Sequence, residues 1–269
     1  MKSIIKDILC SSLLGAGRIS KHQHAFIIKH STTTNLLEST YDWTVSLNNR
    51  NPVDIPYIDF SKAIDSVVHS KLIFNLRQIS LLDLLISWIT AFLSDRFQQI
   101  RIENVESHIL RVTSGVPQGS VLGPILVKLF INDLDHVLSD KASFKLFADD
   151  LKICSTFNIT SSQNNHQHAL DLLMLWSESW QLPVNLTKTQ LLHLGMSINI
   201  HTYVINDTSI PPADKVLDLG IITDNDLNHS SHISSIIFKA RSRTGIIFEV
   251  FSRTIFLFSG KLTSCFFVL

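Results

Sequence analysis

The chain has 269 residues, 45% of them hydrophobic and 17% charged, which supports a folded protein with a substantial core or two subdomains. Its 23 basic and 23 acidic residues cancel, so the basic excess usual in nucleic-acid binders is missing and any grip on phosphates has to be local.

At the amino terminus Ile4, Ile5, Ile8, Leu9 and Leu13 recur at helical spacing, with Lys6 and Asp7 on the other side. That predicts a helix rather than a signal peptide. Residues 53–58 form a short apolar stretch compatible with a strand, ending in Asp59. Helical character resumes over 69–79, and 81–94 is a strongly apolar helix stopping before Asp95 and Arg96. Residues 97–102 and 108–112 read as a hairpin feeding the loop 114–124. That loop holds three of the nine glycines and two of the seven prolines, and it opens onto an apolar helix over 125–134. Such a loop brings backbone amides close to a flat or anionic ligand, or is a plain surface loop. Lys128 interrupts the helix and must snorkel, pair or disturb packing.

Residues 144–147 and 151–154 are short apolar runs around Asp149 and Asp150, a pattern that predicts a β-hairpin whose tight turn carries both acids. Adjacent carboxylates repel, which a bridging divalent cation relieves, although Asp in a turn is also ordinary. Ala169, Leu172, Leu173, Trp176 and Trp180 make a helical stripe that reads as core. Residues 203–205 and 216–222 read as later strands. The run 245–269 is rich in Phe and Ile, but Glu249, Arg253 and Lys261 interrupt it, so a membrane span is not expected.

Three scattered cysteines, Cys10, Cys154 and Cys265, suggest no disulfide framework and fit a reducing, intracellular compartment, cytoplasm or nucleus. Twelve histidines invite a zinc reading at His22, His24 and His30, or at His166 and His168. No Cys partners or His-Glu helical motif accompany them. No internal repeat appears, and nothing signals an oligomer.

Three ordered motifs carry a resemblance: Asp59-Phe60-Ser61-Lys62-Ala63, then Ser114-Gly115-Val116-Pro117-Gln118-Gly119-Ser120-Val121-Leu122-Gly123-Pro124, then Phe147-Ala148-Asp149-Asp150. Together they resemble the reverse transcriptase domain of non-LTR (LINE-type) retrotransposons. Gln23-His24-Ala25-Phe26, Ser31-Thr32-Thr33-Thr34-Asn35-Leu36-Leu37, Ile131-Asn132-Asp133-Leu134, Asn185-Leu186-Thr187-Lys188-Thr189 and Asp218-Leu219-Gly220 are similar to flanking stations of that family. The resemblance spans roughly 4–255.

It implies an α+β right-hand polymerase palm with partial fingers and a partial thumb: residual fingers over 1–52, palm over 53–225 and thumb over 226–269. It implies RNA-directed DNA polymerisation on an RNA template and DNA primer, with dNTPs, by two magnesium ions, manganese being an alternative. Asp59 and Asp149 would hold both ions with Asp150 beside them. Phe60 would lend its backbone carbonyl, and Pro117, Gln118 and Gly119 would underlie the incoming base pair. Lys188 would sit near the leaving phosphates, or is a solvated lysine after a turn.

The departures from the family are specific. Ile64 replaces the aromatic ring that excludes a ribose 2′-hydroxyl, which leaves sugar selectivity open. Ala25 stands for a glycine, Ile27 and Ile28 stand where basic residues are usual, and Lys128 stands in an apolar helix. The Arg-bearing fingers hairpin, an endonuclease domain and a zinc knuckle are expected to lie outside the chain, which reads as truncated at both ends. A catalytically silent remnant, or a module co-opted for nucleic-acid or protein interaction, is the alternative to an active polymerase.

Overall fold

The computed structural model describes residues 2–15, 17–156, 162–195 and 201–265. The chain divides into two compact units, Met1–Asp214 and Lys215–Leu269. In the first unit α1 (Lys2–Gly15) is the helix expected and buries Ile5, Leu9 and Leu13, but Ile4 and Ile8 of the expected apolar side are exposed, because the buried stripe is narrower and follows i, i+4, i+8. Helix α2 (Thr32–Asn48) is not legible from periodicity. It starts at a capping box, in which the Ser31 hydroxyl accepts from Thr34 N and the Thr34 hydroxyl accepts from Ser31 N.

Strand β1 (Val53–Ile58) is followed by α3 (His69–Gln78) and α4 (Asp83–Leu93). The predicted hairpin forms from β2 (Phe97–Gln98), β3 (Arg101–Ile102), β4 (Val105–Glu106) and β5 (Leu110–Arg111), with β2 paired to β5 and β3 to β4. Beyond the loop come α5 (Gly123–Ile131) and α6 (Leu134–Leu138), then β6 (Ser143–Phe147) and β7 (Asp150–Thr156). Helix α7 (Ser162–Trp180), β8 (Gln190–Leu194), β9 (Val204–Ile205), β10 (Thr208–Ser209) and β11 (Pro212–Ala213) complete the unit.

The main sheet has the order β11-β8-β1-β7-β6, with β1 at its centre, antiparallel to both neighbours. Pro56 lies inside this central strand and carries no N–H. The β1–β7 register passes from Asp54↔Ser155 to Tyr57↔Lys152, while the β1–β8 register runs unbroken from Val53 to Tyr57. Successive side chains of β7 meet different helices. Trp43 of α2 donates to Cys154 Sγ at 3.4 Å and lies under Lys152, whereas Ser155 meets His166 of α7. Alternation along a strand therefore puts α2 and α7 on opposite faces of the sheet. Ala169, Leu173 and Trp176 are core, with Trp180 partly buried against Trp176 and Phe130.

A polar hub sits beside the start of β1. The buried Asp54 accepts from His193 Nδ1 at 2.6 Å and from the Tyr203 hydroxyl at 2.8 Å, with His201 Nδ1 at 3.4 Å. Burial, followed by the charge of Asp54, pushes the Tyr203 phenol up.

Lys128 does not snorkel, and among the described residues it has no carboxylate partner. It is 1% exposed, donates to the Phe26 carbonyl at 3.2 Å, and burial lowers its pKa. Lys128→Met keeps the stem's volume and removes a poorly compensated charge. It is expected to raise the unfolding free energy by about 1–3 kcal/mol, read by urea denaturation at neutral pH.

In the second unit the stretch expected as one strand is a hairpin, β12 (Lys215–Asp218) and β13 (Ile221–Asp224). Leu219 and Gly220 both take positive φ between them, at 47° and 92°, and Gly adopts that backbone without steric cost. Helix α8 (Ser230–Cys265) leaves Ile233, Phe238, Phe248 and Phe251 exposed. Side chains from 252 onward, Cys265 included, lie outside the described residues. Among the described residues no helix is long and apolar enough to cross a membrane.

Candidate active site

The sheet register assembles the acids. Ile58 of β1 pairs with Leu151 of β7, so continuing one step places Asp59 opposite Asp150. The β6–β7 hairpin closes with Phe147 opposite Asp150, leaving Ala148 and Asp149 as the turn. This differs from the expectation of a turn carrying both acids, because Asp150 is already a strand residue. It is exposed, whereas Asp149 is half-buried.

The turn requires a residue at positive φ, and Ala148 supplies it at 56°. Burial holds the Asp149 carboxyl above the usual carboxylate range, a backbone hydrogen bond opposes this, and the charge of Asp59 adds to it. Asp59 and Asp149 are thus electrostatic neighbours although 90 positions separate them. Asp59 Oδ2 is out of solvent without a hydrogen-bond donor, and Lys188 Nζ stands 3.5 Å from it. That lysine is held by its own loop. Asn185 N donates to the Asp59 carbonyl at 2.7 Å, Ser61 N donates to the Pro183 carbonyl at 2.8 Å, and Phe60 bridges Val184.

The other expected residues divide between this site and its support. Phe60 is buried, its ring edge-on to Trp176 at 5.8 Å, so its side chain belongs to the core. Ile64 is exposed, and its carbonyl accepts from Val116 N at 3.0 Å. The 114–124 loop is pinned to the segment after Asp59. Gly115 N donates to the Val67 carbonyl at 2.8 Å, and Gln118 Nε2 donates to Asp65 Oδ1 at 2.9 Å. Gly115 has φ of 76°, and a Cβ there would lie 2.8 Å from the Asp65 backbone, so only glycine fits this approach. Pro117 is half-buried, while Gln118 and Gly119 are exposed. The loop is therefore tied to the same turn that follows the first acid.

A carboxylate pair with a donorless buried oxygen and hard-oxygen chemistry fits a divalent cation. Among the described residues no three His, Cys, Asp or Glu side chains gather tightly enough for one ion, so the pair is the nucleus of such a site and not a complete cage. His24 and His30 meet through their Nδ1 atoms at 3.3 Å, with Glu38 3.5 Å from His24 Nε2.

Sequence reasoning used Gln23 only as part of a motif and missed its place. Its carboxamide grips the main chain of Ala148, and the only local hint was a polar residue beside a short apolar pair. The Asp54 hub also went unseen, since one acid inside an apolar strand carries no sign of its partners.

The reverse transcriptase (RNA-dependent DNA polymerase) family matches residues 1–231. The chain is similar to the RNA-directed DNA polymerase from mobile element jockey of Drosophila melanogaster, 25% identical over 226 residues, which are 81% of this chain and 25% of that protein. It is similar to the probable RNA-directed DNA polymerase from transposon X-element of the same organism, 25% identical over 263 residues, 95% of this chain and 29% of that protein. The chain thus spans about a quarter of the length of the curated relatives it matches. Among solved structures, apo telomerase from Candida tropicalis superposes with a TM-score of 0.61 at 12% identity, over 86% of this chain and 41% of that one. Telomerase from Candida albicans, in complex with a TWJ fragment of telomeric RNA, gives 0.55 at 14% identity, over 85% and 38%. At these identities the likeness gives the fold, an α+β right-hand polymerase fold, as the motifs implied.

Proposed function

Because the chain belongs to the reverse transcriptase (RNA-dependent DNA polymerase) family, we propose that Asp59 and Asp149 are the core of an RNA-templated DNA polymerase site acting on dNTPs and a DNA primer. The observation that carries this reading is their juxtaposition, with Asp59 Oδ2 buried and without a hydrogen-bond donor. Asp59 and Asp149 would hold the divalent cations, with Asp150 one residue on. When bound, two such ions supply charge stabilisation at the attacking and leaving oxygens of an in-line displacement.

The reaction joins the primer 3′-oxygen to the α-phosphorus of the dNTP and breaks its bond to the β-phosphate oxygen, releasing pyrophosphate. Lys188, ion-paired to Asp59 without substrate, is positioned to turn to the leaving phosphates and offset their charge. Pro117, Gln118 and Gly119 form the floor for the incoming base pair, held by the Gly115 and Gln118 contacts to 65–67. Phe60 contributes its main chain, since its ring is committed to Trp176. Ile64, exposed beside this turn, takes the sugar-facing position, where a branched aliphatic discriminates less strictly than an aromatic ring. On this reading 1–52 is residual fingers, 53–225 palm and 226–269 thumb.

The test is primer extension by the purified chain on an RNA template with dNTPs and magnesium. A DNA product whose sequence follows the template is expected. A folded chain that yields no templated product would sink the reading and favour a silent remnant.

A further inference from the structure

Gln23 is 2% exposed, and its carboxamide is spent on the two peptide groups that flank the Ala148 Cα in the catalytic turn. Its Oε1 accepts from Ala148 N at 2.9 Å, and its Nε2 donates to the Ala148 carbonyl at 3.2 Å, across 125 positions of chain. The same Oε1 accepts from Ala25 N at 2.9 Å, which fixes the side chain to its own loop. The backbone on either side is fixed too. His24 N donates to the Leu146 carbonyl and Leu146 N donates to the His22 carbonyl, each at 2.9 Å, making a parallel bridge between Gln23 and Leu146. Asn35 Nδ2 adds a donor to the Leu146 carbonyl at 3.2 Å.

These contacts converge where the chain is strained. Ala148 has φ of 56°, a region that is unfavourable for a residue with a Cβ and persists only where the surroundings over-determine it. A two-residue turn has little else to hold it. The second of these peptides, held through the Ala148 carbonyl, leads directly into Asp149, so its orientation sets the direction of the Asp149 side chain.

We propose that Gln23 is a positioning residue for Asp149: by gripping both polar atoms of Ala148 it fixes the turn in the geometry that presents the carboxylate to the divalent cation. This rests on the metal-dependent reading of the site given above. Gln23 touches neither Asp149's carboxylate nor a reacting group. A role in folding alone would alter stability and leave ion affinity unchanged.

The experiment measures Mn²⁺ binding to the full chain by depletion of the free-ion electron paramagnetic resonance signal, with thermal melting alongside. Wild type, Asp149→Asn, Gln23→Met and Gln23→Glu are compared. Gln23→Glu keeps the acceptor and the volume, sets a carboxylate oxygen against the Ala148 carbonyl in place of the donor and adds a negative charge that by itself favours a cation. Weaker Mn²⁺ binding by this variant therefore reports the lost grip on the turn, and it carries the test if Gln23→Met does not fold. A folded Gln23 variant is expected to bind Mn²⁺ at least roughly 10-fold more weakly, and primer extension to lose kcat with little change in KM for dNTP. Wild-type affinity in a folded Gln23→Glu chain overturns the proposal. Wild-type binding that is indifferent to Asp149→Asn removes the metal site itself, and this inference with it.

Discussion

Primer extension falls at least roughly 10³-fold when Asp149 is replaced by asparagine, while the fold becomes slightly more stable. The two effects share one cause. Burial, with the charge of Asp59 adding to it, holds the Asp149 carboxyl above its ordinary range. A carboxyl whose folded pKa is raised favours folding below its unfolded pKa and loses that contribution as pH rises past the folded value. At neutral pH the ionised pair therefore weakens the fold. Asparagine keeps the size and local hydrogen bonding of the turn and removes the charge, which relieves the unfavourable electrostatics. Templated extension and a thermal melt on the same preparation read both quantities. Extension at the wild-type rate from the asparagine variant would remove Asp149 from the chemistry, and a large loss of stability would make it a structural residue.

Acid destabilises the chain through His166. This side chain is fully buried, its Nδ1 meets the Ser155 hydroxyl, and its Nε2 has no hydrogen-bond partner. Burial lowers its pKa from 6.5 to about 4, against a smaller opposing pull from Asp54. The unfolded chain takes up the proton from about pH 6.5 downward, and the folded chain resists until about pH 4. Stability is therefore complete above that window and is lost as pH falls through it, by about 2 kcal/mol at pH 4.5. His22 and His24 are depressed by burial too and steepen the same slope. In urea unfolding at pH 7.5 and 4.5, His166→Gln is expected to recover about 2 kcal/mol of the acid loss. An unchanged difference between the two pH values would assign the acid sensitivity elsewhere.

Much of the chemistry was legible before any coordinates. The order of Asp59, the Gly/Pro-rich loop and the Ala148-Asp149-Asp150 run identified the family, and alternation and helical spacing located α1, β1, the β2–β5 hairpin and the β6–β7 hairpin. Where local signals were weak, the reading failed in a consistent way. Helix α2 has few apolar residues at helical spacing, because Asn35, Ser39 and Ser46 fill its buried positions beside Trp43. Strand β8 is a five-residue run, Gln-Leu-Leu-His-Leu, whose apolar residues do not alternate. The split between β12 and β13 depends on two residues at positive φ that an apolar stretch concealed.

By itself the sequence determined which groups the protein has for its chemistry and the local elements on which they ride, since propensity and periodicity act over a few neighbouring residues. The tertiary structure alone decided which of those groups meet. Strand pairing set Asp59 opposite Asp150 and within electrostatic reach of the turn residue Asp149, the loop after α7 carried Lys188 to 3.5 Å from Asp59, and the edge of the sheet brought Gln23 onto Ala148. Such meetings join positions about a hundred or more apart. They are set by burial and by the need to satisfy polar groups across the whole core, and no local pattern encodes either.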